Sequence, residues 1–456
     1  MEPLKVEKAD FSKIDKSEVL NKATKDESFD ITNYIKEVNE PRYLYWDEVK
    51  YKPTPKNLNS IEYWFLVKQL RKLLSTPTPI KAENGNFFKW VRLTYTDEYL
   101  HEIDMHTGGQ IFATYEILSQ DIKQKFLSRG VIEEAIASSQ LEGAHTTRAV
   151  AKKMILEKRK PRNESEKMIM NNYITMSSLE EDFKNEELSE KTLFDLHAMI
   201  TKDTLSRDKQ YRYRKDEDDI VVRNDKYIAF VPPKHSFVEQ EIKRLFEYAN
   251  DKESKEFIHP VVKAILLHFW IGYLHPFVDG NGRLARALFY WYLLRKGYWT
   301  FMYLPISSII KRSPVQYSMA YTYAEQDELD ATYFYDYHIR KILQSIEEFD
   351  SYISRIVSEN KKIDSVLKES IVLNERQKQL LYYLVSEGNE ANVTIGSHQT
   401  LNNISRQTAY RDLKYLKTKE LLTTKSVGKF TRYFPSDKLN KLFSVSHSGE
   451  VSNEVK

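Results

Sequence analysis

Residues 275 to 286 read HPFVDGNGRLAR, directly after the apolar run AILLHFWIGYL. A turn between two buried helices needs a glycine or a proline; it has no need of a histidine, a carboxylate, an amide and two guanidiniums within twelve residues. Pro276 disfavours helical geometry for the residue before it, so His275 is expected at a helix end with its ring facing a cleft. Gly280 and Gly282 bracket Asn281 and permit the φ values at which successive backbone N–H groups converge on an anion. If GRLARALFYWYLL then starts a helix, its positive end points at the same place. Arg283 and Arg286 are three apart, hence neighbours on one helix face, and guanidiniums suit phosphate oxygens. Asp279 is a hard oxygen ligand beside that phosphate site, which is how Mg²⁺ (or Mn²⁺) is commonly held. Phe277, between polar neighbours, is expected to point into the core. The chemistry that fits is attack by a hydroxyl on a nucleotide phosphate. His275 would act as general base, a role that contributes about 10²–10⁴-fold in rate.

Such a constellation has to be positioned by a sizeable fold. At 456 residues the chain is long enough for two or three domains, and 41% apolar content with 22 Phe and 30 Tyr supplies core material. A net charge of +3 against 69 basic and 66 acidic side chains names no partner in bulk. The absence of cysteine excludes disulfides, thiolate zinc sites and a Cys nucleophile. The start, MEPLKVEKADFSKIDK, lacks the apolar centre of a signal peptide, and Ala264 to Phe277 is too short to span a bilayer. The expectation is a cytoplasmic protein with no membrane partner.

The pattern predicts a mainly α fold. Residues 1–40 read as a loose arm and 41–124 as an N-terminal extension, with a helix after Ser60 as cap and a strand or hairpin in FFKWVRLTYTDEYLHEI. Residues 125–345 are mostly helical. The exception is DDIVVRNDKYIAFVPP, a predicted β-hairpin turning at Asn224-Asp225. A long helix from Tyr333 to about Leu367 links the body to a separate C-terminal unit, with 346–370 as the linking segment. Residues 371–438 then show three helices and a hairpin turning at Val427-Gly428-Lys429, the pattern of a winged helix-turn-helix. Residues 439–456 read as a flexible tail.

HPFVDGNGRLAR resembles the signature of the Fic family, His-x-Phe-x-Asp/Glu-Gly-Asn-Gly-Arg-x-x-Arg, at every fixed position. The similarity extends to HPVVKAILLHFWIGYL, LFDLHAMI, YRYRKDEDDIVV, FVPP and SSIIKRSPVQYSMAY, covering about 125–345; YLYWDEVKYKPTP resembles extensions seen in members. The resemblance implies a Fic-type helical bundle with a small β-hairpin flap. It implies transfer of AMP from ATP to a Ser, Thr or Tyr hydroxyl of a protein target, a class that includes the chain itself. His275 is then the base and Asp279 the Mg²⁺ ligand. Gly280, Asn281 and Gly282 hold the phosphates, and Arg283 and Arg286 reach the outer ones. A hairpin within Ile220, Val221, Val222 and Val231 would clamp the target by strand pairing. Arg312 and Tyr317 fall where members line the nucleotide pocket. A choline-nucleotide offshoot and the phosphorylating Doc branch are alternatives within the family, and the intact Gly-Asn-Gly-Arg favours AMP transfer.

SSQLEGAH supplies a second motif. Ser138 and Glu142 are four apart, on one face of a helix at about 131–143 that Gly143 would cap. This resembles the family's inhibitory pattern, in which the glutamate pairs with the second motif arginine, here Arg286, and occupies the γ-phosphate space. The same Glu142 could instead orient water for removal of AMP.

Residues 396–434 hold eight Lys/Arg and two acids. Ser405 is a predicted N-cap, followed by Arg406, Gln407, Thr408, Tyr410 and Arg411 at the start of a recognition helix, with Lys429 on the wing. DNA contact, homodimerisation and protein docking are the uses such a module has. A transcriptional regulator whose body only senses nucleotide is therefore the rival from another class; His275, which a sensor does not need, favours the enzyme. His197, His259 and His268 are expected to be packing or capping groups.

Overall fold

The computed structural model describes residues 2–25, 31–55, 57–107, 120–223, 227–252, 257–367, 371–387, 391–427 and 430–450. In chain order the elements begin with helices α1 (Lys16–Lys25), α2 (Ile31–Asn39), α3 (Trp46–Val49) and α4 (Ser60–Leu74). Strands β1 (Ser75–Lys81) and β2 (Phe87–Val91) and helix α5 (Thr94–Met105) follow. Next come α6 (Gln120–Leu141), α7 (Arg148–Leu156), α8 (Glu164–Ser178) and α9 (Glu190–Ile200), then the short strands β3 (Val222–Arg223) and β4 (Ile228–Phe230). The body closes with α10 (His235–Ala249), α11 (Pro260–Leu274), α12 (Asn281–Arg295), α13 (Ile306–Ile310), α14 (Pro314–Gln326) and α15 (Thr332–Leu367). The last elements are α16 (Glu375–Ser386), α17 (Ile395–Asn402), α18 (Arg406–Thr418), β5 (Leu422–Val427), β6 (Phe430–Pro435) and α19 (Asp437–Glu450). The fold is mainly helical, and each strand pair is a two-stranded antiparallel ladder.

Packing divides the chain into two compact units. The first comprises Met1–Met105, Thr175–Trp299 and Ile309–Leu343; the second comprises His106–Ile174, Thr300–Ser308 and Gln344–Lys456. Helix α6, expected within the catalytic body, thus belongs with the C-terminal elements.

In the first unit, α11 and α12 form the centre. Both are apolar on nearly every face, which is the pattern of a helix surrounded by protein. Trp270 and Trp291 are fully buried, as are Leu267, Phe269, Leu284 and Leu288. Residues 1–40 are not a loose arm: Val19, Ile35 and Val38 are buried in one core with Trp46, Trp64 and Tyr333. The apolar residues of this stretch are sparse in sequence and find partners only on later helices, which is why no local period announced them. Arg71 ties the layer together, donating to Asn39 Oδ1, the Tyr333 hydroxyl and the carbonyls of Val38 and Leu44. The cap of α4 is Asn59 rather than Ser60, in a capping box with Glu62.

In the second unit, Leu381, Leu384, Leu413, Leu416, Leu421, Leu422 and Tyr433 share one core. Residues 439–450, expected as part of a flexible tail, belong to the helix Asp437–Glu450, with Leu439 and Phe443 in that core. No helix among the described residues is long and apolar enough to cross a membrane.

Candidate active site

The loop between α11 and α12 carries His275, Asp279 and Gly280. His275 ends α11 in the left-handed conformation, φ 46° and ψ 55°. Proline does exclude the helical basin here, but the residue enters the left-handed one instead of an extended one, an uncommon state for a side chain with a Cβ. Three contacts hold it. Its N–H donates to Ile271 O at 2.9 Å. Its Nδ1 lies 3.3 Å from Gly272 O, and its own carbonyl accepts from Arg214 Nε at 2.7 Å. A carbonyl can only accept, so Nδ1 carries a proton, and in the neutral ring Nε2 then presents a lone pair. That is the tautomer a general base requires.

Arg214 is the clamp that sequence reasoning missed. It is buried, and besides His275 O it donates through Nη2 to Pro233 O at 2.5 Å and Leu274 O at 3.4 Å. Its backbone N–H donates to Pro276 O at 2.8 Å. Its stretch, YRYRKDEDDIVV, was visible in the sequence; that the guanidinium fork meets the carbonyls of residues 274, 275 and 233 is a tertiary fact.

His197 on α9 supports the other end of the loop. Its ring stacks on Phe277 at 3.7 Å and 11°, and its Nε2 donates to Asp279 O at 2.9 Å. Burial holds its pKa down at about 4, so it is neutral. The packing role expected for it is present, with a loop-positioning bond added. Phe277 is fully buried, as expected. His259, the other expected capping group, does cap α11, accepting from Val261 N.

Gly280 stands at φ +87°, and a Cβ there would lie 2.9 Å from Thr201 Cγ2. Gly280→Ala is therefore strained twice, by conformation and by contact, and is expected to cost ~2 kcal/mol, read as a lower midpoint in urea at unchanged slope. Gly282, expected to share this freedom, lies in the first turn of α12 and has no positive φ. One left-handed residue suffices to start the helix. Asn281 is buried, and its amide braces the loop: Oδ1 accepts from Phe277 N at 2.9 Å and Nδ2 donates to Phe277 O at 2.8 Å. The amide is thereby occupied, so only the backbone N–H of Asn281 remains for the phosphate role expected of it.

Asp279 is half-exposed, with Oδ1 accepting from Gly280 N at 2.6 Å and Oδ2 from Arg283 Nη2 at 3.1 Å. Arg283, expected at the outer phosphates, is fully buried and also donates to Ile200 O. It is placed to orient Asp279 and fasten α9, because i and i+4 on the helix bring it onto the carboxylate. Among the described residues no group of three or more His, Cys, Asp or Glu gathers as a metal site. A single half-exposed carboxylate fits Mg²⁺ that arrives on nucleotide phosphates and keeps several waters, not a cation caged by protein alone.

Arg286 is buried on α12. His268 and His338 have ring centroids 4.9 Å apart; burial pushes both imidazoles down, His338 to about 3 against an opposing hydrogen bond to Phe334 O, and the charge of Arg286 adds to the lowering of both. The Tyr317 hydroxyl is 3.0 Å from His268 Nε2, and Arg312 is exposed. The folded state holds His338 neutral where an unfolded chain would charge it. Its contribution to stability is full above pH 6.5, its ordinary value, and is lost as pH falls toward 3. Thermal melts from pH 7 to 4 should show the midpoint falling, with a shallower slope in His338→Gln.

Of the flap residues, Val222 pairs opposite Phe230 and Arg223 opposite Ile228, with an irregular register. Ile220 and Val221 precede the ladder, and Val231 follows it, exposed. The expected turn at Asn224-Asp225 lies outside the described residues.

In the second unit, Ser138 is buried near the end of α6 and Glu142 is exposed just beyond it, before Gly143 at φ +92°. Ser405 caps α18 by accepting from Thr408 N. Arg406, Gln407, Tyr410 and Arg411 are exposed on α18, Thr408 is half-buried, and Ala409, Leu413 and Leu416 face inward. Lys429 lies outside the described residues. Asp412 anchors the buried side of α18: burial opposes its charge, but hydrogen bonds from His398, Arg376 and Asn374 hold its pKa down at about 2.

Residues 187–293 match the family model described as Fic/DOC. Over 77 residues, 17% of this chain, the sequence is 40% identical to the protein adenylyltransferase Fic of Drosophila virilis and 38% identical to that of Drosophila melanogaster. The chain covers 16% and 15% of the length of those two relatives. Among solved structures it is similar to a Fic family protein from Desulfovibrio desulfuricans G20, at 16% identity and TM-score 0.45 over 74% of this chain and 96% of that one. Fic-1 of C. elegans is similar at 16% identity and TM-score 0.46, over 69% and 82% of the two chains.

Proposed function

Starting from a chain that carries a Fic domain over residues 187–293, we propose that it is a protein adenylyltransferase, moving AMP from ATP to a Ser, Thr or Tyr hydroxyl of a protein target. The observation that carries the reading is the contact of His275 Nδ1 with Gly272 O at 3.3 Å, which in the neutral ring leaves Nε2 as acceptor at a helix end.

His275 Nε2 removes the proton from the target hydroxyl as its oxygen attacks the α-phosphorus of ATP. The bond to the bridging oxygen breaks and pyrophosphate leaves. The first turn of α12, opened by Gly280, directs its N–H groups and positive dipole end at the phosphates, and Arg286 adds charge. Asp279, oriented by Gly280 N and Arg283, would hold Mg²⁺, which supplies neutralisation of phosphate charge when bound. Arg214, Asn281 and His197 keep the loop in shape.

Glu142 restrains the reaction by pairing with Arg286, a function inferred from SSQLEGAH. An arginine engaged by a carboxylate is unavailable to the γ-phosphate. Glu142→Gly is expected to raise incorporation of label from α-labelled ATP into protein by about tenfold or more, a gain that corresponds to removing ~1.4 kcal/mol of competition. Unchanged incorporation in Glu142→Gly, with ATP bound, would remove Glu142 from the mechanism.

A further inference from the structure

Residues 2–6 run alongside the hairpin. Leu4 N donates to Ile228 O at 2.7 Å and Ile228 N donates to Glu2 O at 3.1 Å, a parallel bridge between Pro3 and Ile228. Both backbone groups of Ile228 thus serve the outer edge of β4, opposite the edge that meets β3. Gln326, at the end of α14, grips the same segment: Nε2 donates to Leu4 O at 2.7 Å and Oε1 accepts from Val6 N at 3.0 Å. From residue 7 the chain is fastened differently, by the Tyr45 hydroxyl on Glu7 O and by Lys50 on the Glu7 carboxylate. Glu2, Pro3 and Lys5 are exposed, and Leu4 and Val6 are half-buried. Main-chain and amide bonds hold residues 2–5, and packing against the core begins only at Val6.

Its chemistry is equally specific. Residues 1–10, MEPLKVEKAD, contain no Ser, Thr or Tyr, so the segment can pair with a strand but offers no hydroxyl. The edge it covers is tied to the catalytic loop. Phe230 packs on Tyr273, ring centroids 5.7 Å apart, two residues before His275. Arg214 bonds both Pro233 O, just past β4, and His275 O.

We propose that residues 2–6 are a built-in occupant of the outer edge of β4, the edge that the flap resemblance leaves for a target strand, and an occupant that cannot be modified. The incoming segment is an extended, hydroxyl-bearing stretch of a protein target, an identification that rests on the AMP-transfer reading above. Main-chain pairing gives affinity to any extended segment. A tethered occupant competes at an effective concentration on the order of millimolar, so only a target with further contacts displaces it.

Amide hydrogen exchange at Ile228 tests this without relying on catalysis. In a chain lacking residues 2–6, Ile228 N–H is expected to exchange about tenfold faster than in the intact chain, with the amides of α11 unchanged as a control for folding. Gln326→Ala should speed it in the same direction with no residue removed. Millimolar synthetic peptide MEPLKVEKAD, added to the shortened chain, should restore protection, and the same peptide with Leu4→Pro, which lacks the donor N–H, should not. Equal exchange at Ile228 in intact and shortened chains, or equal action of the two peptides, would overturn the proposal. Label transfer from α-labelled ATP, measured on the same chains carrying Glu142→Gly, separates the two readings: peptide-dependent protection without any transfer supports the tethered occupant and counts against the transferase.

Discussion

In a Glu142→Gly background, His275→Ala is expected to lower AMP incorporation by about 10²–10⁴-fold, the usual contribution of a positioned general base. ATP affinity, measured by calorimetry, should stay within about threefold, because the phosphate-facing groups belong to α12 and not to the imidazole. The size of the loss follows from how fully the ring is prepared. The left-handed backbone at φ 46° is fixed from both sides, by Ile271 O on the N–H and by Arg214 on the carbonyl. Gly272 O selects the tautomer. Alanine keeps the backbone bonds and removes only the base. Incorporation that persists in the double variant would sink the assignment of His275.

The second large effect is expected at Arg214. Arg214→Ala removes the donors to His275 O, Pro233 O and Leu274 O, carbonyls that lie where water does not readily replace a buried guanidinium. Hydrogen bonds from a charged donor contribute about 1.5–3 kcal/mol each, and the three share one side chain, so the loss of stability should be about 3 kcal/mol. Activity should fall further than stability predicts. The His275 loop would relax, and a displacement of about 1 Å costs on the order of 10²-fold. Arg214→Lys should not rescue, since one ammonium cannot reproduce a planar fork reaching three acceptors. A chain that melts lower but keeps its full rate per folded molecule would reduce Arg214 to a structural residue.

Local patterning determined a good deal of this protein. The α11 and α12 helices, the break at His275-Pro276, the need for glycine at 280, the long helix to Leu367 and the Ser405 cap were all legible, because each depends on residues within one or two turns of one another. So was the grouping of His, Asp, Gly and Arg, since residues at fixed spacing on one loop remain together in any fold. Tertiary structure alone decided the division of labour among them. Arg283 and the Asn281 amide look equivalent in the sequence to ligand-facing groups, yet burial turns both inward to hold the loop. Arg214 and His197 reach the motif from 61 and 82 residues away, across contacts that no local period encodes. Residues 1–40 looked too polar to pack, but a few apolar side chains suffice when α4 and Tyr333 supply the opposite wall. The strand of residues 2–4 on β4 is the extreme case. Main-chain hydrogen bonds leave no mark on side-chain composition, so only the folded chain could place it.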